Sequence, residues 1–329
     1  MAYDGRIMQR ALTRFDEDKQ RRAAQLEQRR RTAYARAPRL AEIEAELRGT
    51  MGRIISSALA RGTDPVPAIR VLRDENLQLQ QERTELLASL GYPADYLEEK
   101  PACDKCGDTG YVSGGVCACL RAYYAREQLA ELSRLLPLGE DSFETFSFDW
   151  YDSAVQPAFG ISPRENMERN YDVCRDYAYQ FAKGSGDLLL SGGTGLGKTF
   201  LSACIARVVS ENGFSVVYDT AASVFSRFED AKFRRDDGGS EDADRCMRCD
   251  LLILDDLGTE MTTSFVQSAL YQIVNGRLMA GRSTIISTNL APEEIGSRYG
   301  RSVLSRLEGE YEILPFFGED IRRLKRERQ

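Results

Sequence analysis

The pattern of hydrophobic positions divides the chain into two parts with different periods. From residue 6 to about residue 90, apolar residues recur at helical spacing among many charged side chains. Beyond residue 162, short apolar runs alternate with helical stretches; the runs are LLLS, VVYD, LLILDD, TIIST and EILPF. This alternation predicts an α/β fold, with a parallel sheet whose strands are joined by crossover helices on both faces.

Three helices are predicted in the first part of the chain. The first covers residues 6–37, the second follows Pro38 as far as residue 62, and the third spans Ala68–Leu90 after the break GTDPVP. The third helix carries a heptad seam made of Ile69, Leu72, Leu79, Leu86 and Leu90, interrupted by Asn76 and Arg83. Two interpretations stay open at this point: a small bundle that packs on itself, or a helical arm that docks on a partner protein.

Composition places the chain among soluble globular proteins and narrows its chemistry. It has 329 residues, of which 29% are charged and 42% hydrophobic, and its formal net charge is -7. A nucleic-acid contact must therefore come from a local basic patch. No run approaches the ~18 apolar residues of a membrane span, and the first residues lack the apolar core of a signal peptide, so a cytoplasmic location is expected. Eight cysteines and no histidine favour thiolate metal sites and leave proton transfer to carboxylates.

The segment GGTGLGKT (192–199) is a complete phosphate-binding loop, since it follows the run LLLS and opens a helical stretch. Its backbone N–H groups and the helix N-terminus are expected to surround the phosphates of ATP. Lys198 is expected to reach the β- and γ-phosphates, and Thr199 to offer its hydroxyl to Mg²⁺. The remaining loop residues expected at the nucleotide are Gly192, Gly193, Thr194, Gly195, Leu196 and Gly197.

Two later strands end in polar residues at the edge of the sheet where ligands bind in open α/β folds. Asp255, at the end of LLILDD, is predicted to hold Mg²⁺. Asp256 is predicted to polarise the attacking water as general base or orienting group. Asn289, at the end of TIISTN, is predicted to bond the γ-phosphate or that water.

A cysteine cluster, CDKCGDTGYVSGGVCAC (103–119), combines C-x₂-C with C-x-C across a spacer that contains two adjacent glycines. The spacer can fold as a short hairpin that returns the second pair to the first. Four thiolates suit a tetrahedral, structural Zn²⁺. The ligands predicted for this zinc are Cys103, Cys106, Cys117 and Cys119. The pair Cys246 and Cys249 leads directly into a strand and is predicted to be structural, as are Cys174 and Cys204.

A stretch of alternating aromatic and basic residues, FSRFEDAKFRR (225–235), is a candidate contact for single-stranded DNA. Basic side chains neutralise phosphates and aromatic rings stack on unpaired bases. The competing interpretation is an amphipathic helix with its phenylalanines in the core. The acidic segment DDGGSEDADR that follows is predicted to be a solvated loop. The stretch offers Phe225, Phe228 and Phe233 together with Arg227, Lys232, Arg234 and Arg235.

The order of these motifs, GGTGLGKT, LLILDDLG, IISTN and then SRYGRSVLSRL, resembles the AAA+ ATPases of the bacterial replicative helicase loader type, DnaC/DnaI. The resemblance spans about residues 143–323 and includes the aromatic segment FETFSF. In such proteins a helical arm grips the ring-shaped helicase, while the AAA+ part holds ATP and single-stranded DNA. The resemblance implies an arginine finger at Arg306, with Arg301 as competitor, and a sensor arginine at Arg322. It also implies that a full helical lid is absent, since the sequence ends a few residues beyond Arg322.

Four segments are therefore expected: a helical helicase-docking domain (1–100), a zinc knuckle (101–120), a linker (121–160) and an AAA+ ATPase domain with a reduced lid (161–329). The leading hypothesis is an ATPase that loads the hexameric replicative helicase onto single-stranded DNA and self-associates through its AAA+ domain. The first alternative is a transposition helper ATPase of the IstB-like group. The second is an adaptor that binds nucleotide without hydrolysing it.

Overall fold

The computed structural model describes residues 3–59, 66–135, 142–233 and 237–328. The chain divides into two compact units. One unit is Thr13–Cys117, and the other combines Met1–Leu12 with Ala118–Gln329. Within the described residues, no helix is both long enough and apolar enough to cross a membrane.

Three helices form most of the smaller unit, and they match the helices predicted from the sequence. They are α1 (Gly5–Arg36, whose first residues belong to the larger unit), α2 (Arg39–Leu59) and α3 (Val66–Ser89). Pro38 separates α1 from α2, as expected for a residue that lacks an N–H donor. The predicted break at 62–67 lies mostly outside the described residues.

Helices α2 and α3 pack against each other through charged and apolar side chains. Arg39 pairs with Glu82, with Nε and Oε1 2.9 Å apart, and Arg83 lies 3.4 Å from the largely buried carboxylate of Glu44. Tyr34 donates to the same carboxylate at 2.5 Å. Burial, reinforced by Glu44, raises the pKa of Tyr34 to about 12, so this phenol stays protonated at neutral pH. In the structure these helices therefore pack against one another, as the bundle interpretation predicts.

The apolar core of this unit differs in one respect from the predicted heptad seam. Leu87, which is not a seam position, is fully buried with Ala33, Leu40 and Leu97. The seam residues Leu86 and Leu90 are only partly buried around it, and the side chain of Ile69 lies outside the described residues. The reason is that the segment after α3 folds back and covers the face that carries Leu87, which a pattern within one helix cannot reveal.

A two-stranded hairpin follows in the cysteine segment. Strand β1 (Tyr111–Val112) pairs antiparallel with β2 (Gly115–Val116), as the adjacent glycines predicted. Helix α4 (Ala118–Leu135) comes next; it begins in the predicted knuckle segment and lies mostly in the segment that the sequence assigns to a linker. The structure does not test the predicted domain boundaries, which stay predictions.

The larger unit is built on a five-stranded sheet in which every pairing is parallel. The strand order is β4-β5-β6-β3-β7, so the phosphate-loop strand lies between the last two strands of the chain. This order and the helical cover on both faces define an AAA+ P-loop fold, which confirms the predicted fold class. The strands are β3 (Asp187–Gly192), β4 (Val216–Thr220), β5 (Leu251–Leu257), β6 (Ser283–Thr288) and β7 (Tyr311–Phe316).

Alternate residues of the strands enter two separate cores. Leu188, Ile253 and Ile285 face one core, and Leu189 and Leu252 face the other. Both faces are covered, which explains the nearly continuous apolar runs in the sequence. The helices of this unit after α4 are α5 (Pro163–Tyr179), α6 (Lys198–Glu211), α7 (Ala221–Phe233), α8 (Asp237–Arg248), α9 (Ser264–Met279), α10 (Pro292–Tyr299), α11 (Arg301–Glu310) and α12 (Ile321–Glu327).

Helix α8 corrects one expectation, since the sequence predicted a solvated loop over most of its length. Cys246 is fully buried in the second core, and Ala243 and Met247 pack against that core. Cys246 and Met247 lie three and four residues after Ala243, so all three lie on one side of the helix. The acidic residues Glu241 and Asp244 are exposed, and tertiary packing on the apolar face outweighs the two glycines near the helix start.

Arg277 is fully buried beneath α8 and was not singled out from the sequence. Its guanidinium donates to the carbonyl oxygens of Cys246 at 2.7 Å and Ser283 at 2.6 Å, and to the hydroxyl of Thr284 at 3.0 Å. A buried charge is costly unless it is surrounded by acceptors. Arg277 therefore joins α8, α9 and the start of β6 through one planar group.

Replacing this guanidinium tests its structural role. Arg277→Met is expected to lower the free energy of unfolding by about 3 kcal/mol, because several buried acceptors lose their donor. The measurement is urea unfolding of the full chain, followed by the fluorescence of its single tryptophan, Trp150, which lies in the same unit. The matched control is Arg248→Met on α8; its side chain is 74% exposed. The control should change stability by less than about 0.5 kcal/mol, and equal effects of the two variants would contradict the assigned role.

Candidate nucleotide site

The phosphate loop joins the end of β3 to the start of α6 and approaches other backbone closely. Gly192 has φ 149° and Gly195 has φ 71°, conformations that favour glycine. A Cβ atom on Gly192 would lie 1.9 Å from the carbonyl oxygen of Phe316. One on Gly195 would lie 1.9 Å from Oδ1 of Asp320. The glycines of the motif are therefore required by packing as well as by the turn.

The C-terminal helix is fastened to this loop. The backbone N–H of Ile321 donates to the carbonyl oxygen of Gly195 at 3.0 Å. Asp320 caps α12, since its carboxylate accepts from the N–H of Arg322 at 2.8 Å. These two contacts place Arg322 on the wall of the same cavity as Lys198. The predicted sensor arginine thus reaches the phosphate loop from the first turn of α12.

Lys198 occupies the first turn of α6 and is largely buried, with 6% of its surface exposed. Its ammonium donates to the carbonyl oxygens of Gly192 at 2.7 Å and Gly193 at 2.6 Å. Burial lowers the pKa of Lys198, while the carboxylates of Asp256 and Asp255 oppose that shift. The side chain lies along the loop, next to the groups expected to bind phosphate.

The Asp255 carboxylate lies at the end of β5 with 4% of its surface exposed. Thr199 Oγ1 lies 3.4 Å from Oδ1, which Ser287 Oγ also contacts closely. Tyr218 donates its phenolic proton to Oδ2 at 2.8 Å. Carboxylate and hydroxyl oxygens are the ligands that Mg²⁺ prefers, so Asp255 and Thr199 fit the predicted magnesium role.

Asp256 is turned towards the cavity by an irregularity in the strand. Successive residues of a strand point to opposite faces of a sheet. Here the register between β5 and β6 shifts between Leu254 and Leu257, and Asp256 has φ 55°, so it leaves that alternation. Burial and the neighbouring charge of Asp255 raise the pKa of Asp256, which makes it a stronger base than an ordinary aspartate. Asn289, just beyond β6, lines the same cavity.

The cavity has a volume of about 410 Å³, and part of its wall is aromatic. Phe146, Trp150 and Tyr151 line it, and the Tyr151 hydroxyl donates to the carbonyl oxygen of Leu196 in the phosphate loop at 3.1 Å. Lys325 of α12 also lines the cavity, with its ammonium 5.5 Å from the Trp150 ring centroid. The sequence patterns had not assigned this aromatic segment to the site. Its density of aromatic residues was the available signal.

Arg301 and Arg306, the two candidates for the arginine finger, do not line the nucleotide cavity of their own chain. Arg301 is the first residue of α11 and is exposed. Arg306 is on the same helix, with 42% of its side chain exposed, and lies 3.8 Å from Glu310 one turn later. The structure thus brings together Lys198, Thr199, Asp255, Asp256, Asn289 and Arg322, and leaves Arg301 and Arg306 on α11.

Comparison with known proteins adds the family. Residues 173–329 match the family of the IstB-like ATP binding protein. This part of the chain is therefore similar to the IstB-like ATP-binding proteins.

Curated relatives match the same part of the chain. The Escherichia coli K12 protein YdaV is 31% identical over 161 residues, which are 45% of this chain and 64% of YdaV. The replicative helicase loader DnaC of Escherichia coli K12 is 30% identical over 135 residues, which are 40% of this chain and 54% of DnaC. The chain therefore spans about half to two thirds of the length of these relatives. A crystal structure of the DnaC helicase loader matches with a TM-score of 0.46 and 20% identity, covering 55% of this chain and 99% of that one.

The aromatic and basic stretch lies on α7, and its burial decides between the two interpretations of its phenylalanines. Phe225 and Phe228 are 3% and 8% exposed and belong to the second core, so they cannot stack on bases. Arg227 forms an ion pair with Asp219. Lys232 is exposed at the end of the helix. The side chain of Phe233, and Arg234 and Arg235 entirely, lie outside the described residues.

The four clustered cysteines converge, with their sulfur atoms all within 4.8 Å of one another. The Sγ atoms of Cys103 and Cys117 are 3.8 Å apart. Zn–S bonds of about 2.3 Å in a tetrahedron place sulfur atoms about 3.8 Å apart, so the donor set fits zinc. This geometry matches the predicted ligand set, Cys103, Cys106, Cys117 and Cys119.

Asp108, two residues after Cys106, orients the segment that carries Cys103. Its carboxylate accepts from the backbone N–H groups of Ala102 and Cys103, each at 3.0 Å, and pairs with Arg22 at 2.8 Å. Partial burial raises the pKa of Asp108, but these donors outweigh it and the net pKa is lowered. Asp108 also has φ 57°, a backbone conformation that aspartate tolerates better than most residues. No motif in the sequence marks this residue.

The remaining cysteines are structural, as predicted. Cys174, Cys204 and Cys246 are fully buried, and Cys249 is 5% exposed. Burial raises the pKa of the Cys246 thiol to about 12 and that of Cys249 in the same direction. Neutral buried thiols of this kind are neither nucleophiles nor metal ligands at neutral pH.

Metal content tests the cysteine cluster. The purified full chain is expected to hold about one zinc ion per molecule, and Cys117→Ser should lose most of it. Elemental analysis gives the zinc content, and limited proteolysis should show faster cleavage of residues 103–119 in the variant. Cys174→Ala, which removes a thiol from a core position elsewhere, is the control and should retain zinc. Undiminished zinc in Cys117→Ser would exclude this ligand set.

Proposed function

We propose that this protein is an ATP-hydrolysing loader of the replicative DNA helicase. The observation that carries the proposal is the convergence of Lys198, Asp256 and Arg322 on one cavity, with Asp255 behind it in contact with Thr199. The cavity belongs to an IstB-like domain that is also 30% identical to DnaC over 135 residues. A helical unit and a thiolate cluster accompany this domain. That combination supports a loader, in which one part grips the helicase and another consumes ATP.

ATP binding follows from the groups that line the cavity. The N–H groups of the phosphate loop and the Lys198 ammonium attract the triphosphate, and the aromatic side chains Phe146 and Trp150 offer an apolar surface to the base. Asp255 and Thr199 would hold Mg²⁺, which neutralises charge on the β- and γ-phosphates. Arg322 adds a further positive charge to the wall of this cavity.

Hydrolysis needs a group that orients and deprotonates water, and we assign that role to Asp256. Its raised pKa improves it as a proton acceptor, and its exposed position gives water access. Asn289 would hold the water or a γ-phosphate oxygen. The proton leaves the attacking water for the Asp256 carboxylate as the new P–O bond forms and the β–γ bond breaks.

Self-association would supply the group that the cavity lacks in a single chain. Arg306 projects from α11 with an exposed side chain, and a guanidinium spreads charge over transferring phosphoryl oxygens. In this proposal Arg306 enters the site of a neighbouring copy, so hydrolysis is slow until the domains assemble. Arg301 is the competing finger on the same helix.

The helical unit, Thr13–Cys117, would dock on the hexameric helicase, with the zinc knuckle bracing its helices. Single-stranded DNA would bind to basic side chains of the IstB-like domain, and Lys232 on α7 is an exposed candidate.

A transposition helper ATPase is the second candidate function, favoured by the match of residues 173–329 to the IstB-like family. Duplex DNA bound in preference to single strands would favour that role. A nucleotide-binding adaptor would show no turnover that depends on Asp256.

Helicase binding is the first test. The full chain is mixed with the replicative hexameric helicase of the same organism, and complex mass is measured by light scattering after size-exclusion chromatography. We expect a stable complex that Leu77→Glu on α3 weakens, whereas Val155→Glu in the larger unit does not; the two wild-type side chains are 55% and 62% exposed. Absence of any complex between the folded proteins would reject the loader role and leave the transposition helper.

A mixing experiment tests hydrolysis and the finger together. Asp256→Asn and Arg306→Ala are each expected to lower ATP turnover by about 100-fold or more. Mixed in equal amounts, they should regain turnover well above their sum, because hybrid interfaces combine an intact Asp256 with an intact Arg306. Phosphate release measures the rates. Arg301→Ala is the control and should keep turnover on its own. If Arg301→Ala loses turnover while Arg306→Ala keeps the wild-type rate, the finger is Arg301.

A further inference from the structure

The Asp255 carboxylate has its two oxygens held by different partners. Oδ1 faces Thr199 and Ser287, the side on which the phosphate loop lies. Oδ2 accepts the phenolic proton of Tyr218 at 2.8 Å. Because the two oxygens are distinguished in this way, rotation of the carboxylate about its bond to Cβ would break the contact with Tyr218.

Tyr218 reaches Asp255 because of the register of the two parallel strands. Tyr218 on β4 is opposite Ile253 on β5, and Thr220 is opposite Asp255. Side chains two residues apart share a face, so Tyr218 and Asp255 point to the same side of the sheet. A phenol is long enough to span that distance along the sheet. Phenylalanine at this position would fill the same volume and could not make the bond.

The environment of Tyr218 leaves the hydroxyl few alternatives. The residue is 3% exposed and packs in the core with Ile253 and Ile285, so water does not compete for the bond. A buried hydroxyl without an acceptor is costly. A buried carboxylate needs donors just as strongly, and the contact satisfies both groups at once.

We propose that Tyr218 is a positioning residue for magnesium-dependent nucleotide binding: by holding Oδ2 of Asp255 it keeps Oδ1 directed towards Thr199. The inference rests on the proposed function, since it requires that Asp255 and Thr199 hold Mg²⁺ beside ATP. Loss of the phenolic oxygen leaves the carboxylate in place, but only the contacts of Oδ1 with Ser287 and Thr199 then restrain its rotation. The site then binds Mg²⁺ with lower affinity, while the phosphate loop and Lys198 are unchanged.

The test compares Tyr218→Phe with wild type in the full chain, using a fluorescent ATP analogue at a series of Mg²⁺ concentrations. The half-saturating Mg²⁺ concentration is expected to rise about tenfold, the size of effect given by one lost hydrogen bond to a charged group. Affinity for the analogue in EDTA should stay unchanged, whereas the thermal midpoint in EDTA is expected to fall modestly, because the buried carboxylate loses one donor. A purely structural role would move the thermal midpoint and leave the Mg²⁺ requirement alone.

Tyr177→Phe is the matched control, because its hydroxyl donates to the carbonyl oxygen of Gly186 at 3.1 Å, away from the cavity. It should show the wild-type Mg²⁺ dependence. Equal Mg²⁺ dependence of Tyr218→Phe and wild type, both binding the analogue, would overturn the inference and leave the proposed function standing. A wild-type chain that binds no nucleotide, with or without Mg²⁺, would reject the proposed function itself and this inference with it.

Discussion

The nucleotide site depends on a carboxylate that is buried at the end of a strand and surrounded by hydroxyl groups. Asp255 accepts from groups on β4, β6 and the start of α6, so three separate elements must be in register for its charge to be tolerated. A buried charge without such donors would be expelled or neutralised. The hydrogen bonds that stabilise the buried carboxylate therefore also align the phosphate loop with the neighbouring strands.

The second constraint is the close contact between the phosphate loop and the start of α12. Gly195 leaves room for Asp320, and Ile321 donates to the loop backbone. Because that contact is made by backbone and a capping carboxylate, the position of Arg322 is fixed by the turn itself and not by a long flexible arm. The short C-terminal helix then supplies to the cavity both a positive charge and, through Lys325, a cation beside Trp150.

The smaller unit is stabilised in a different way. Its helices share a modest apolar core around Leu87, and ion pairs such as Arg39–Glu82 join α2 to α3. Small cores of this kind contribute little net stability, and a metal-bound thiolate cluster is a common supplement. The convergence of the four cysteines fits that need, and Asp108 shows how a short polar segment can be held in place by its own backbone donors.

The sequence by itself determined the features that depend on neighbouring residues. The phosphate loop, the apolar strands, the three N-terminal helices and the spacing of the paired cysteines are local patterns, and the structure has each of them. The order of the motifs also determined the family resemblance. The roles assigned to Arg306 and Asn289 stay predictions, because they concern a nucleotide and a second copy of the chain.

Only the tertiary structure decided the features that join distant parts of the chain. The strand irregularity at Asp256, the Tyr218 contact with Asp255 and the burial of Arg277 depend on which strands and helices become neighbours. The same holds for α8, whose apolar face is stabilised by packing against a core formed by residues distant in the sequence. Hydrogen bonding and burial act between atoms that are close in space, and sequence patterns report only on atoms that are close along the chain.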